Sequence, residues 1–244
     1  MKLPAWLKRN KEKPVPHCSA VIVAAGTSQR MGLDKLTADL GGMPVLARTL
    51  RVFEKSPLVD EIIVVTRMDQ LESVADLCRQ YGIDKVARVV CGGATRTESS
   101  LAGVSEVRKD AKLIAIHDGA RPLVTGDVIL RAVYAAQEFM VAAPAIPSTD
   151  TLKQIDDKGT VIGTLDREKT VRVQTPQVFK ADLIKGALTR AVEKGLVFTD
   201  DCAAAEMMGL QTHTVLGDED NIKLTTPRDL AFAAEILRER GDLT

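Results

Sequence analysis

Short runs of β-branched and aliphatic residues alternate along this chain with longer segments whose apolar positions recur at helical spacing. That alternation limits the fold more than any other feature of the sequence. Strand-like runs fall at residues 20–25, 61–66, 86–91, 112–117 and 140–146, and helix-period segments at 45–55, 70–81, 97–109 and 127–139 fill the gaps. Consecutive strands joined through a helix are parallel neighbours with both faces covered. The pattern therefore predicts an α/β fold, a mostly parallel sheet with helices on both faces. Gly41-Gly42 and Pro44 mark a turn before the first long helix, and Gly82 ends the second. Only 3% of residues are aromatic against 45% hydrophobic overall, so the core must be built from Ala, Val, Leu and Ile.

The rhythm changes near residue 148. Thr151-Leu152-Lys153-Gln154-Ile155 and Thr160-Val161-Ile162-Gly163-Thr164-Leu165 flank the turn residues Asp156-Asp157-Lys158-Gly159, which predicts a hairpin. Two strands alone are marginally stable, so a protruding β-arm at about residues 148–174 is expected to pack on something, such as a second subunit. Helices at 180–193, 200–208 and 227–238 and a strand at 211–216 complete one domain spanning 18–244. Residues 1–17 read as a solvated extension, basic and closed by Pro14 and Pro16, in which Trp6 could dock on the domain. They lack the apolar segment of a secretory signal.

Charge and cysteines narrow the function. The chain carries 33 basic and 33 acidic residues, so no global field draws it to nucleic acid or a membrane, and an anionic ligand must be met by local cations. No run approaches the roughly 20 apolar residues that span a bilayer. The four cysteines, Cys18, Cys78, Cys91 and Cys202, form no CxxC pair and no metal-ligand spacing, which fits a reduced, cytoplasmic compartment.

The chemistry gathers after the first strand, in Ala24-Ala25-Gly26-Thr27-Ser28-Gln29-Arg30-Met31-Gly32-Leu33-Asp34-Lys35. A dinucleotide fingerprint needs three glycines in Gly-x-Gly-x-x-Gly and a P-loop needs Gly-Lys-Ser/Thr; neither is present. Small residues with Arg30 and Lys35 suit an anion-binding loop, although solvated surface cations would read the same way. Cys91-Gly92-Gly93-Ala94-Thr95-Arg96 and His117-Asp118-Gly119-Ala120-Arg121-Pro122 also follow strands. Gln174-Thr175-Pro176-Gln177 and Asn221-Ile222-Lys223-Leu224-Thr225 fall just before helical segments. Such loops meet in one crevice when they lie at the carboxyl ends of parallel strands.

Taken together, Ala-Ala-Gly-x-x-x-Arg-Met, His-Asp-Gly-Ala-Arg-Pro, Thr-Pro-Gln-Val-Phe, Thr199-Asp200-Asp201 and Asn-Ile-Lys-Leu-Thr resemble the 2-C-methyl-D-erythritol 4-phosphate cytidylyltransferases, in family order from about Ser19 to Leu237. The first motif alone is shared with many nucleotidyltransferases; the later ones are more specific. The resemblance implies a Rossmann-like nucleotide-diphospho-sugar transferase fold and a homodimer with interlocked arms. It implies transfer of CMP from CTP to methylerythritol phosphate with release of pyrophosphate, assisted by Mg²⁺. By motif position, Ala24, Ala25 and Gly26 would touch the cytosine and triphosphate, Gly93 and Ser99 would bound the base, and Asp118 would face the ribose and phosphates. Asp118 is also the one protein group expected on the metal, whose other ligands would be mostly phosphate. Arg30 and Lys35 would steady the transition state. Thr151, Arg167 and Lys223 would grip the acceptor, with Arg121 close by and Thr175 lining the same pocket. Two departures stand out: Ala94 replaces a frequent Asp, and Gly32-Leu33-Asp34-Lys35 is shorter than the usual loop and lacks its Pro.

That chemistry suits these residues. A phosphate monoester has a second pKa of about 6 and is largely a dianion near neutrality, so the acceptor is already a nucleophile. No general base is required, and the three histidines, His17, His117 and His213, offer no Ser-His-Asp order. A cytidylyltransferase for another polyol phosphate, such as ribitol 5-phosphate, would need the same cations. A nucleotide-binding regulatory module would have no use for cations that hold an acceptor phosphate.

Overall fold

The structure is a computed structural model, and it describes residues 18–26 and 36–243. Eight strands form one sheet: β1 (Cys18–Val23), β2 (Val59–Thr66), β3 (Val86–Cys91), β4 (Leu113–Asp118), β5 (Val141–Pro147), β8 (Val171–Val173), β9 (Gln177–Lys180) and β10 (His213–Leu216). β6 (Lys153–Ile155) and β7 (Val161–Thr164) pair separately as an antiparallel hairpin. The helices are α1 (Val45–Lys55), α2 (Leu71–Gln80), α3 (Arg96–Ser105), α4 (Gly126–Phe139), α5 (Ala181–Glu193), α6 (Asp201–Met207) and α7 (Pro227–Glu239).

The strand order is β10-β5-β9-β4-β1-β2-β3, with β8 also on β5. β4, β1, β2 and β3 run parallel in the way their helical crossovers require. Every residue of β4 is buried, because helices cover both faces. One core packs α1, α2 and α4 on one face of the sheet through residues such as Leu50, Phe53, Leu77 and Val133. A second packs α3, α5 and α6 on the other through Val104, Ile184 and Ala204.

The sequence pattern needs correction in one region. Gln174–Gln177 was expected to lead directly into a helix, but β9 intervenes and lies antiparallel between β4 and β5. β8 and β9 follow one another along β5, interrupted at Gln174-Thr175-Pro176, where proline has no N–H to give to a ladder. Runs of three and four residues are too short to display a period, so composition could not separate them from the helix start. The helical segment expected at 97–109 also stops sooner, at Ser105.

The hairpin region differs from the rest of the chain in what it exposes. Leu152, Ile155, Val161, Ile162, Leu165, Val171 and Val173 are all solvent-facing. No described helix is long and apolar enough to cross a membrane.

Candidate active site

β1, β2, β3 and β4 end on the same side, and the loops that leave them enclose a cleft of about 510 Å³. Its walls are Ala24, Ala25 and Gly26 after β1, Arg67 and Met68 after β2, residues 91–96 after β3, and Asp118 and Ala120 after β4. Ser99 on α3 and Lys223 on the loop before α7 complete it. The loops after β1 and β3 are in contact. A Cβ on Gly92 would stand 2.6 Å from Ala25 Cβ and 2.7 Å from Ser99 Oγ, so only glycine allows this approach. A wider hollow of about 880 Å³ lies among α1, α4 and the end of α7, and of the quoted motifs only Pro122 lines it among the described residues.

The floor of the cleft includes the start of α3. Thr95 caps that helix by accepting from the Glu98 N–H at 3.1 Å, while Glu98 Oε2 accepts from the Thr95 N–H at 3.0 Å. The Ser99 hydroxyl donates to Thr95 O at 2.9 Å. A helix N-terminus facing a cleft favours a bound anion.

Three cations surround one carboxylate there. Lys223 Nζ lies 2.9 Å from Asp118 Oδ2, Arg121 Nε 3.4 Å from the same oxygen, and Arg96 Nη2 3.6 Å from Oδ1. Burial acts to raise the Asp118 pKa, but attraction to Lys223, Arg96 and Arg121 outweighs it and holds the carboxyl well below its usual range. Arg96 Nη2 also approaches Asp201 Oδ2 at 2.7 Å. The approach is ionic rather than well directed, since neither oxygen of Asp201 has a hydrogen-bond partner among the described residues. Asp201 is 1% exposed, so Arg96 is its counter-charge.

Beneath this layer, His117 is fully buried between elements. Its Nε2 lies 3.3 Å from Arg121 O, which can only accept, so Nε2 carries the proton and Nδ1 is bare. The Thr175 hydroxyl therefore donates to Nδ1 at 2.9 Å and accepts from the Asp118 N–H at 3.1 Å. Burial pushes the His117 pKa down to about 3, against attraction to Asp118, so the ring is neutral at pH 7. With both nitrogens engaged, it is no base for an incoming substrate.

Of the residues singled out from the sequence, Ala24, Ala25, Gly26, Gly93, Ser99, Asp118 and Lys223 line the one cleft. Arg121 joins them through Asp118, and Thr175 lies below, 4% exposed, with its hydroxyl engaged as described. Thr151 and Arg167 are exposed beside the hairpin and are not among the cleft's lining residues. Arg30 and Lys35, with residues 1–17, lie outside the described residues.

The sequence placed Arg96 and Gln177 in loops of interest but gave neither a role. Gln177 Oε1 accepts from the N–H groups of Asp201 and Cys202 at 2.8 and 3.1 Å, and its Nε2 donates to Asp200 Oδ2 at 3.1 Å. Asp200 in turn caps α6 by accepting from the Ala203 N–H at 3.0 Å. Gln177 thus locks the Asp200-Asp201 pair against β9. The available signal for Arg96 was its place inside the Thr95-x-x-Glu98 capping box, at the first position of the helix.

As a metal site the described residues offer little alone. No group of three or more His, Cys, Asp or Glu among them could hold an ion. Among the described residues Asp118 is the one carboxylate on the cleft wall, and it stands among three cations. Such a surface attracts anions. A divalent ion fits it when phosphate oxygens supply most of its ligands.

The family model for 2-C-methyl-D-erythritol 4-phosphate cytidylyltransferase matches residues 18–239. The chain belongs to that family. A 2-C-methyl-D-erythritol 4-phosphate cytidylyltransferase from Caldanaerobacter subterraneus subsp. tengcongensis is 42% identical over 224 residues, covering 91% of this chain and 99% of that protein. One from Dehalococcoides mccartyi is 45% identical over 223 residues, covering 91% and 96%. The crystal structure of 4-diphosphocytidyl-2C-methyl-D-erythritol synthase from Anaerococcus prevotii superposes with a TM-score of 0.83 at 31% identity, covering 92% of this chain and 100% of that one. This cytidylyltransferase-family chain is therefore a nucleotidyltransferase with the family's Rossmann-like fold.

Proposed function

We propose that this chain transfers CMP from CTP to 2-C-methyl-D-erythritol 4-phosphate, giving 4-(cytidine 5'-diphospho)-2-C-methyl-D-erythritol and pyrophosphate. The observation that carries the reading is the convergence of Arg96, Arg121 and Lys223 on Asp118, beside the N-terminus of α3. Arg96 is shared with Asp201, so three cations face two carboxylates and one net positive charge remains where a triphosphate would lie.

The acceptor phosphate oxygen attacks the α-phosphorus of CTP, the bond from that phosphorus to the bridging oxygen breaks, and pyrophosphate departs with its electrons. The difficulty is repulsion between the two anions. Two unit charges about 4 Å apart repel by roughly 4 kcal/mol at an effective dielectric of 20. In this reading Ala24, Ala25, Gly26, Gly93 and Ser99 hold the nucleotide, and Asp118 faces its ribose and phosphates. Lys223 and Arg121 hold the acceptor phosphate, and Arg30 and Lys35 stabilise charge building on the α- and β-phosphates. Mg²⁺, carried by the triphosphate and met by Asp118, supplies further charge neutralisation when bound. Catalysis by positioning and charge stabilisation needs no base, in keeping with the occupied nitrogens of His117.

Thr151 and Arg167 reach the acceptor in this reading from a second copy of the chain. The support is the exposed apolar stripe of the β6–β7 region, from Leu152 to Leu165, on a hairpin too small to be stable alone. Deleting residues 155–160 should convert a dimer to monomers in sedimentation; a dimer that survives the deletion rules the arm out as its interface. A cytoplasmic site of action is in keeping with four free cysteines, with burial pushing Cys18 up to about 12 and Cys78 to about 11.

The reaction is tested by pyrophosphate release from CTP with methylerythritol phosphate, ribitol 5-phosphate or no acceptor. Release with methylerythritol phosphate well above the other two is expected. Preference for ribitol 5-phosphate would overturn the assignment of the acceptor. Lys35→Ala should lower kcat by roughly 100-fold or more while CTP affinity changes only a few-fold, the mark of a charge acting on the transition state. Equal losses in both would make Lys35 a ground-state binder.

A further inference from the structure

Lys223 sits on a ten-residue loop, 217–226, with no helix or strand of its own. Such a loop would ordinarily be mobile, and a mobile ammonium makes a poor anchor for a phosphate. Arg240 binds Asp218 and Asp220 at the loop's outer side, and one fully buried side chain anchors the loop next to the lysine. Asn221 is 0% exposed, two residues before Lys223. Its Nδ2 donates to Thr175 O at 2.9 Å and to Gln174 Oε1 at 3.4 Å. Its main-chain carbonyl accepts from Arg121 Nη1 at 2.6 Å and from Gln174 Nε2 at 3.4 Å.

Gln174 closes the same circuit from the other side. Its Nε2 donates to Asp218 O at 2.7 Å and its Oε1 accepts from the Asp218 N–H at 3.1 Å. Beyond Lys223 the loop is pinned again, where the Leu224 N–H donates to Ala120 O at 2.9 Å and Leu224 enters a small core with Leu123 and Ile236. The Asn221 amide also leaves its Oδ1 buried without a partner among the described residues.

We propose that Asn221 is a positioning residue: it fixes Lys223 and Arg121 against the turn at Thr175, so that the two cations present one preformed site to the acceptor phosphate. This rests on the reaction proposed above. Asn221 touches no substrate itself. It joins three separate chain segments, the loop after β10, the turn after β4 and the Gln174–Pro176 break, and both cations hang from that junction. The chemistry demands an amide. Aspartate at this position would set a carboxylate against two oxygen acceptors, and alanine would leave Thr175 O without its donor.

The test compares Asn221→Ala alone and in a Lys223→Ala background, with both Michaelis constants measured. Asn221→Ala is expected to raise KM for methylerythritol phosphate about tenfold, the scale of a lost hydrogen bond, with KM for CTP within about twofold. In the Lys223→Ala background the same change should add less than about twofold, because residues acting as a unit are non-additive. Asn221→Ser keeps a short donor, folds with less disturbance and should fall between. An unchanged acceptor KM in either Asn221 variant overturns the inference. So does a full tenfold effect that persists without Lys223, or a drop in thermal midpoint with both constants intact. Wild-type protein is assayed first: no turnover by it removes the reaction itself, whereas normal turnover with an unaffected Asn221→Ala removes only the positioning role.

Discussion

Arg96→Ala is expected to cost about 3–5 kcal/mol of stability, the scale for leaving a buried charge unpaired. Asp201 is 1% exposed and has no hydrogen bond to either oxygen among the described residues, so the guanidinium 2.7 Å away is what makes its charge tolerable. The same guanidinium faces Asp118 across the cleft wall and stands at the first turn of α3. Turnover should therefore fall by roughly 100-fold or more, as when a preorganised donor is removed from a charged transition state. Denaturant titration and pyrophosphate release measure the two effects. A paired variant, Arg96→Met with Asp201→Asn, separates them: removing both charges should restore most of the stability and none of the activity. An active, fully stable Arg96→Ala protein would show that the Arg96–Asp201 contact between α3 and α6 matters to neither.

Acid should destabilise the protein through His117. Burial is the largest influence on this ring and lowers its pKa to about 3, so the folded state keeps it neutral while the unfolded chain protonates it near pH 6.5. The unfolded state then binds one more proton between those values, and stability rises with pH across that window. The contribution is complete above about pH 6.5 and is lost progressively as pH falls toward 3. Two pH units inside the window correspond to about 3 kcal/mol. Unfolding free energies at pH 6.5 and 4.5, compared with His117→Gln, isolate this residue from the acids common to both proteins. The wild type should lose about 2 kcal/mol more than the variant over that interval, since the unfolded ring is already half protonated at pH 6.5; parallel losses would mean that His117 titrates normally.

The parallel half of the fold was legible because each strand there is long enough to show its character and each helix long enough to show its period. α1 falls on residues 45–55 as expected, and the strands after it agree within two residues at either end. The middle of the sheet was less legible. β8 and β9 are three and four residues long, and their place beside β5 is decided by ladder partners far away in the chain. Much of the cleft was readable for the same reason as the strands: loops at the carboxyl ends of parallel strands must meet. The partners of each charge were not readable. Arg96 and Asp201 are separated by more than a hundred residues, and nothing local in either segment names the other.

Amino-acid order alone settled the alternation of strands and helices, the loops that bear Gly and cations, and a family resemblance carried by motifs that stand in fixed sequence. These follow from local preferences and short-range spacing, which a linear chain displays openly. Only the tertiary structure decided that Arg96, Arg121 and Lys223 share Asp118, that His117 is neutral, and that an amide at Asn221 holds a loop with no regular structure. Pairing, burial and titration depend on distances through space between segments distant in sequence, and those distances exist only once the sheet has formed.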